Sequence, residues 1–386
     1  MLRTLVRLIK LAGAAMVLIL LAPLGGATVH AQAHRFTHSS DSVTIFATGL
    51  NNPRGLTFGP DGNLYVAEAG LGGTNSTVGQ CTQVVPPVGP YTNGLTASIS
   101  KISPAGVRTT VIDDLPSAQT GPGAGSDKEG VASVAFIDNT LYALLVGGGC
   151  SHGNANVPNG IYRVNRDQGT STLVANLSQF VQTHPITNPD ADDFEPDGDW
   201  YGMVAVRGAI YATEANHQEL DRITQDGQIS RVIDMSTLFV PPDGWQGATG
   251  IAYHGNFYVG TLGTFPVRPG TERISKITPS GSIKAAALGL TAVLGVAFDA
   301  RGRMYALETD TVAGFPGQNP SSVDSGKVVC VNGDGTLNTV ATGLTFPTGM
   351  TFGPDGKLYV SNFGFGFPTP GVGQIVRIDT SAKDCN

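Results

Sequence analysis

The chain has 386 residues, with 52 glycines, only 14% charged residues and a formal net charge of −7. That composition excludes a disordered polyelectrolyte and speaks for a turn-rich β protein. The acidic excess excludes nucleic acid and anionic lipid as natural partners and leaves cations open.

In chain order, Arg3, Arg7 and Lys10 precede an apolar run from Leu11 to Leu24, and Ala31-Gln32-Ala33 follows. A basic start, a short apolar core and an A-x-A site predict a secretory signal peptide over residues 1–33. The run is shorter than the roughly 20 residues that a spanning helix needs, and no later stretch is apolar enough to span a membrane. The expected mature chain, 34–386, has 20 basic and 30 acidic residues, a net charge of −10. It is expected to be secreted or periplasmic, and all four cysteines fall within it. An oxidising compartment then favours two disulfides.

Six copies of one unit follow: "GLTFGPDGNLYVAE" from Gly55, "SVAFIDNTLYALL" from Ser133, "GMVAVRGAIYATE" from Gly202, "GIAYHGNFYVGT" from Gly250, "GVAFDARGRMYALE" from Gly295 and "GMTFGPDGKLYVSN" from Gly349. Each reads as a period-2 strand, a tight polar turn and a second strand ending near the tyrosine. Third strands such as "SISKISPAG" and fourth strands such as "VRTTVIDDL" complete most units. Four short antiparallel strands in each of six units, with no helical period, predict an all-β, six-bladed β-propeller occupying 34–386. The sixth unit lacks a fourth strand, and Ser42–Leu50 reads as an unassigned one. It is expected to close the last blade and remove two open edges.

Strand parity places the short turns on one face and nearly all insertions on the other: 69–97, 116–130, 146–159, 181–199, 263–271, 309–325 and 363–373. Binding is expected on that long-loop face, to a small molecule or a protein. The residue three after each repeat tyrosine ends the second strand there: Glu68, Leu145, Glu214, Thr261, Glu308 and Asn362. Three of the six are carboxylates, able to converge on a cation or to brace their own loops. The column before the first-strand glycine should line the channel mouth: Arg54, Ala132, Tyr201, Thr249, Leu294 and Thr348. It holds no set of acid, base and nucleophile. Trp200 and Tyr201 close the densest polar run, with Asp190, Asp192, Asp193, Glu195, Asp197 and Asp199. Hard cations want several oxygens at once, so the run is a candidate calcium loop; the glutamate that would close an EF-hand is replaced by Val204. His152, His184, His217 and His254 show no metal-ligand spacing, His34 and His38 lie near the mature start, and no G-x-S-x-G, phosphate loop or CxxC is present. Cys81 and Cys150 fall in long loops of adjacent units, and Cys330 and Cys385 in adjacent third-strand regions. That placement pairs 81 with 150 and 330 with 385.

The unit resembles NHL-type repeats, "YATEANHQELDRI" being the nearest copy. "NPRGLTFGPDGNLYVAEAGLGGT", the Cys81 loop to "TASISKI", "NPDADDFEPDGDWYGM" and "FGPDGKLYVSNFGFG" are similar to the secreted ScyD/ScyE propellers. That resemblance implies an exported propeller, encoded in some organisms beside scytonemin-pigment genes, with no established reaction. The acidic, tryptophan-containing run before Tyr201 departs from the family pattern. Two functions follow: a binding or scaffold protein, or a metal-dependent hydrolase or lactonase of the gluconolactonase-like type. For the second, Glu68, Glu214, Glu308 and Asn362 are the candidate ligands around the channel.

Overall fold

The computed structural model describes residues 42–386 apart from 87, 124, 190–193, 239–246, 315–318, 382–384 and 386. The expected leader over 1–33, and His34 and His38, lie outside the described residues.

Six four-stranded antiparallel sheets form the blades of a six-bladed β-propeller, one of them extended by a fifth short strand. Blade one comprises Pro53–Phe58, Leu64–Glu68, Thr92–Ile102 and Arg108–Gln119, with Lys128–Glu129 added at its edge. Blade two starts at Val131–Ile137, blade three at Trp200–Val206, blade four at Ala248–Tyr253, blade five at Val293–Phe298 and blade six at Gly349–Phe352. These six first strands line the central channel.

Period-2 alternation explains how one strand serves two neighbours. In Leu64–Glu68, Leu64 and Val66 pack with Tyr359 and Ile375 of blade six, whereas Tyr65 and Ala67 pack with Val134 and Leu141 of blade two. Both faces of the strand are therefore buried, and it reads as an unbroken apolar run. Comparable clusters fill each of the other blade interfaces. Fully burying one such Leu or Val side chain contributes about 1.5–3 kcal/mol.

The twin "FGPDG-x-LYV" motifs share one local structure. Asp61 accepts hydrogen bonds from the Asn63 backbone N–H (3.2 Å) and the Tyr65 hydroxyl (2.9 Å). Asp355 does the same for Lys357 (3.1 Å) and Tyr359 (3.1 Å). Gly62 and Gly356 both take φ +74°, a left-handed turn position suited to glycine.

Val43–Leu50 is the outer strand of blade six, antiparallel to Gly373–Ile378 in register from Val43↔Ile378 to Leu50↔Gly373. Phe46 meets Tyr359 edge-on at 5.0 Å. The twin motifs are thus in adjacent blades, and the ring closes as the sequence predicts. Disulfides join Cys81 to Cys150 and Cys330 to Cys385. Two disulfides fit an extracellular or periplasmic location. Among the described residues no helix is long and apolar enough to cross a membrane.

Two local expectations need correction. The insertions expected at 69–97 and 116–130 are partly strand: Thr92↔Gln119 and Leu95↔Pro116 extend the outer hairpin of blade one above the ring. A two-turn helix, Leu177–Thr183, stands where no helix was expected, with the Asn176 side chain accepting from Gln179 N–H at its start. Seven residues are too few to establish a helical period in sequence.

Removing Ser42–Leu50 should leave Gly373–Ile378 as an unpaired outer edge of blade six and cause aggregation or a loss of several kcal/mol in denaturant melts. A synthetic strand of the same sequence should restore solubility; a truncated chain that melts like the full one would contradict the closure.

Candidate functional site

The long-loop face opens into an axial cavity of about 50 Å³. Five of the six channel-mouth residues line it: Arg54, Ala132, Tyr201, Thr249 and Leu294. The loops add Phe265, Phe346 and Phe365 as walls, and Asp127, Glu129 and Asp199 as carboxylates. Thr348, the sixth, holds the floor. Its Oγ1 donates to Pro53 O (2.5 Å), and its carbonyl accepts from the Tyr201 hydroxyl (2.6 Å). Tyr201 thus reaches across the channel axis and separates this cavity from the wider channel, of about 420 Å³, toward the short-turn face.

Arg54 is held over this floor. Its guanidinium lies 5.6 Å from the Tyr201 ring centre and 5.8 Å from that of Phe365. It donates to Asp127 Oδ1 (3.3 Å) and to the Lys128 carbonyl. Burial works against its charge, but Tyr201 and Asp127 outweigh burial and hold its pKa above the usual value. Burial pushes the Tyr201 phenol well above its ordinary range despite the pull of Arg54. Lys128 faces the other way: its buried Nζ donates to Gln119 Oε1 (2.8 Å), Gly121 O (2.6 Å) and Ser126 Oγ (2.6 Å). It therefore ties the loop down, and alternation along Lys128–Glu129 carries the Glu129 side chain to the opposite side.

Glu129 belongs to a second, buried group. His152 Nε2 lies 3.0 Å from Glu195 Oε2 and 3.1 Å from Glu129 Oε2. The Tyr91 hydroxyl lies 2.9 Å from Glu129 Oε1 and 3.2 Å from Glu195 Oε1, and its ring packs edge-on against His152 at 4.8 Å. All four side chains are buried. Burial, then the neighbouring Glu195, Asp199 and Asp127 charges, push Glu129 well above the usual carboxylate range. Burial most strongly opposes the His152 charge, but the Glu195 hydrogen bond and the Glu195 and Asp197 charges together outweigh it and raise the imidazole. The Tyr91 phenol is driven up by burial and by both glutamates.

The histidine loop is fixed from several sides. Cys150 is bonded to Cys81, Ser151 donates through N–H and Oγ to Asp197 Oδ2 (2.7 Å each), and Asn93 Nδ2 donates to His152 O (2.8 Å). Sequence spacing gave His152 no metal partners; the structure corrects this by bringing it to Glu129 and Glu195. Among the described residues these are the sole three metal-capable side chains whose ligand atoms all lie within 4.8 Å of one another.

The other predicted site residues are distributed as follows. Trp200 joins Arg54 and Tyr201 in lining the cavity, and its indole Nε1 donates to Asp221 Oδ2 (3.3 Å). Glu68, Glu214, Glu308 and Asn362 are buried and are not brought together. Each turns back to accept a backbone N–H from the connection entering its own blade: Asn51 to Glu68 (2.7 Å), Asp199 to Glu214 (2.5 Å), Thr291 to Glu308 (2.6 Å) and Thr345 to Asn362 (2.8 Å). Arg108 also pairs with Glu68 (2.9 Å) and Lys327 with Glu308 (2.9 Å). Of the acidic run, Asp190, Asp192 and Asp193 lie outside the described residues. Glu195 meets His152, Asp197 braces the Ser151 loop and Asp199 lines the cavity, so these three do not converge on one cation. Tyr91, Asp127, Glu129 and the loop phenylalanines were missed, having no repeat position to mark them. The one available signal was the expected Cys81–Cys150 pairing, which carries the adjacent His152 to the loop of blade one.

No protein-family model matches the chain, and no curated protein matches it. Solved structures do share its fold. A protein of unknown function from Bacteroides thetaiotaomicron superposes with TM-score 0.53 at 11% identity, covering 87% of this chain and 74% of that one. A putative oxidoreductase (glucose dehydrogenase) from Thermus thermophilus gives 0.51 at 16%, covering 87% and 99%. A gluconolactonase from Xanthomonas campestris gives 0.49 at 11%, covering 87% and 89%. At these identities the likeness is one of fold.

His217 provides a pH test of this side of the site. It is stacked on Phe194 at 5.1 Å, and its N–H donates to Glu214. Burial, then Arg231, lower its imidazole from 6.5 to about 4. A folded pKa below the unfolded one means that unfolding takes up a proton in that window. The contribution is therefore complete above the unfolded pKa and is lost as pH falls through the folded one. At one pKa unit per about 1.4 kcal/mol, the loss approaches about 3 kcal/mol. Denaturant melts of wild type and His217→Gln should diverge in slope between pH 6.5 and about 4; parallel curves would contradict the assignment.

Proposed function

We propose that the protein is an exported binding propeller that takes a small molecule into the axial cavity of its long-loop face. The observation that supports this most is the cavity itself. Its walls are largely apolar and include Trp200, Phe265, Phe346 and Phe365, its floor is closed by the Tyr201–Thr348 hydrogen bond, and Asp127, Glu129 and Asp199 line it beside Arg54. Such walls favour a flat apolar body, at roughly 25 cal/mol per Å² buried. The carboxylates favour hydroxyl or amine donors on that body, and Arg54 offers a cation for an aromatic face. The ligand class is therefore an aromatic or aliphatic molecule carrying hydroxyl or amine groups. The resemblance to ScyD/ScyE propellers, encoded in some organisms beside scytonemin-pigment genes, and the NHL-like repeat agree with a propeller used for recognition.

The second reading is a metal-dependent hydrolase or lactonase, with calcium as the cation expected from sequence. It is favoured by one observation: Asp127, Glu129 and Asp199 supply oxygens to the same cavity that would hold substrate. A protein partner on the long loops is the remaining alternative to a small molecule.

Titration of phenols, indoles, aromatic amines and lactones, followed by Trp200 fluorescence and calorimetry, tests the proposal. At least one aromatic hydroxyl or amine compound should bind, and Arg54→Met or Tyr201→Phe should weaken it by about 10-fold or more while leaving the melting curve cooperative. Equal affinity in both variants would contradict the site, and steady turnover of a lactone would favour the hydrolase.

A further inference from the structure

The geometry points to a first-row divalent metal site, for Zn²⁺ or Mn²⁺, formed by Glu129, His152 and Glu195 in the wall beside the axial cavity. The proposal is independent of the ligand reading above. Four observations carry it. Tyr91 faces the Oε1 atoms of both glutamates (2.9 and 3.2 Å), so each carboxylate presents its Oε2 to His152 Nε2, at 3.0 and 3.1 Å. A single Nε2–H cannot serve both oxygens with good geometry, and Glu129 Oε2 has no hydrogen-bond partner although the residue is only 2% exposed. A buried acceptor left in that state costs about 1–3 kcal/mol. A cation in place of the Nε2 proton would satisfy all three atoms.

The separations suit such an ion. Bonds of about 2.1 Å set neighbouring ligand atoms about 3.0 Å apart at right angles and about 3.4 Å apart at the tetrahedral angle. The observed 3.0 and 3.1 Å distances fall at the lower end, as cis ligands do. One imidazole nitrogen with two carboxylate oxygens suits Zn²⁺, Mn²⁺ or Fe²⁺, whereas Ca²⁺ takes six to eight oxygens. Two carboxylates would also neutralise a divalent ion, which lessens the cost of placing it in a buried setting.

The surroundings are those of a preformed site. The Tyr91 hydroxyl packs against both carboxylates, nearer to Glu129 (2.9 Å) than to Glu195 (3.2 Å), while the Cys81–Cys150 bond, the Ser151–Asp197 hydrogen bonds and Asn93 hold the histidine loop. Glu129 also lines the cavity, so the ion would sit behind a residue that a ligand meets.

The test uses the folded, disulfide-bonded protein stripped with a chelator and titrated with Zn²⁺, Mn²⁺ and Co²⁺. One ion per chain is expected, with a melting temperature that rises with free metal and an N/O-type Co²⁺ spectrum. Glu129→Gln/Glu195→Gln should abolish uptake, and Tyr91→Phe should weaken it about 10-fold as an orienting partner does. No uptake by wild type, or uptake undiminished in the double variant, overturns the proposal. If the double variant does not fold, the X-ray absorption spectrum of the Zn²⁺-loaded wild type decides. One imidazole per ion is expected, and a shell with none or several overturns the site.

Discussion

The close approach of the six innermost strands around the channel governs the rest of this structure. Small residues stand where those strands meet: Gly55, Ser133, Gly202, Gly250, Gly295 and Gly349. A Cβ on Gly250 would lie 2.7 Å from Gly295 Cα, one on Gly202 2.6 Å from Thr249 O, and one on Gly349 2.6 Å from Arg54 O. Those positions tolerate no side chain without the blades moving apart. Hydroxyls then lock the same seam, as Thr249 Oγ1 donates to Val293 O (2.5 Å) and Ser361 Oγ to Arg54 O (2.6 Å). With the axis held this tightly, one tyrosine is long enough to divide the channel, and added chain is accommodated at the faces.

A second recurring device fixes the long-loop face. At the end of each second strand in blades one, three, five and six, a buried side-chain oxygen receives the N–H of the connection entering that blade. Much of the acidity that the sequence concentrates at Glu68, Glu214 and Glu308 is thereby placed within loop geometry. Cavity chemistry draws instead on Asp127, Glu129 and Asp199, which come from insertions between blades.

This division explains what was legible in the sequence. The blade count, the closing strand and the disulfide pairs follow from period-2 patterning and strand parity, which act locally and repeat. Arg54 and Tyr201 were legible for the same reason, occupying one repeat column that lines the channel. The Tyr91–Glu129–His152–Glu195 group was not. His152 and Glu195 are 43 residues apart, Tyr91 and Glu195 are 104 apart, and all four lie in insertions without periodicity. Only tertiary folding of loops from blades one to three joins them, and burial of Glu195 and Asp197 within that fold is invisible in composition.

A crystallographic screen of small aromatic and polyhydroxyl fragments tests the central claim, that the long-loop cavity is the recognition site, most directly. Two spaces compete on one axis, the smaller above Tyr201 and the larger below it. The account predicts fragments seated between Arg54, Tyr201 and Phe365 with donors toward Asp127 or Asp199. Fragments confined to the channel between Phe58, Phe136 and Phe352, with the upper cavity empty, would contradict it.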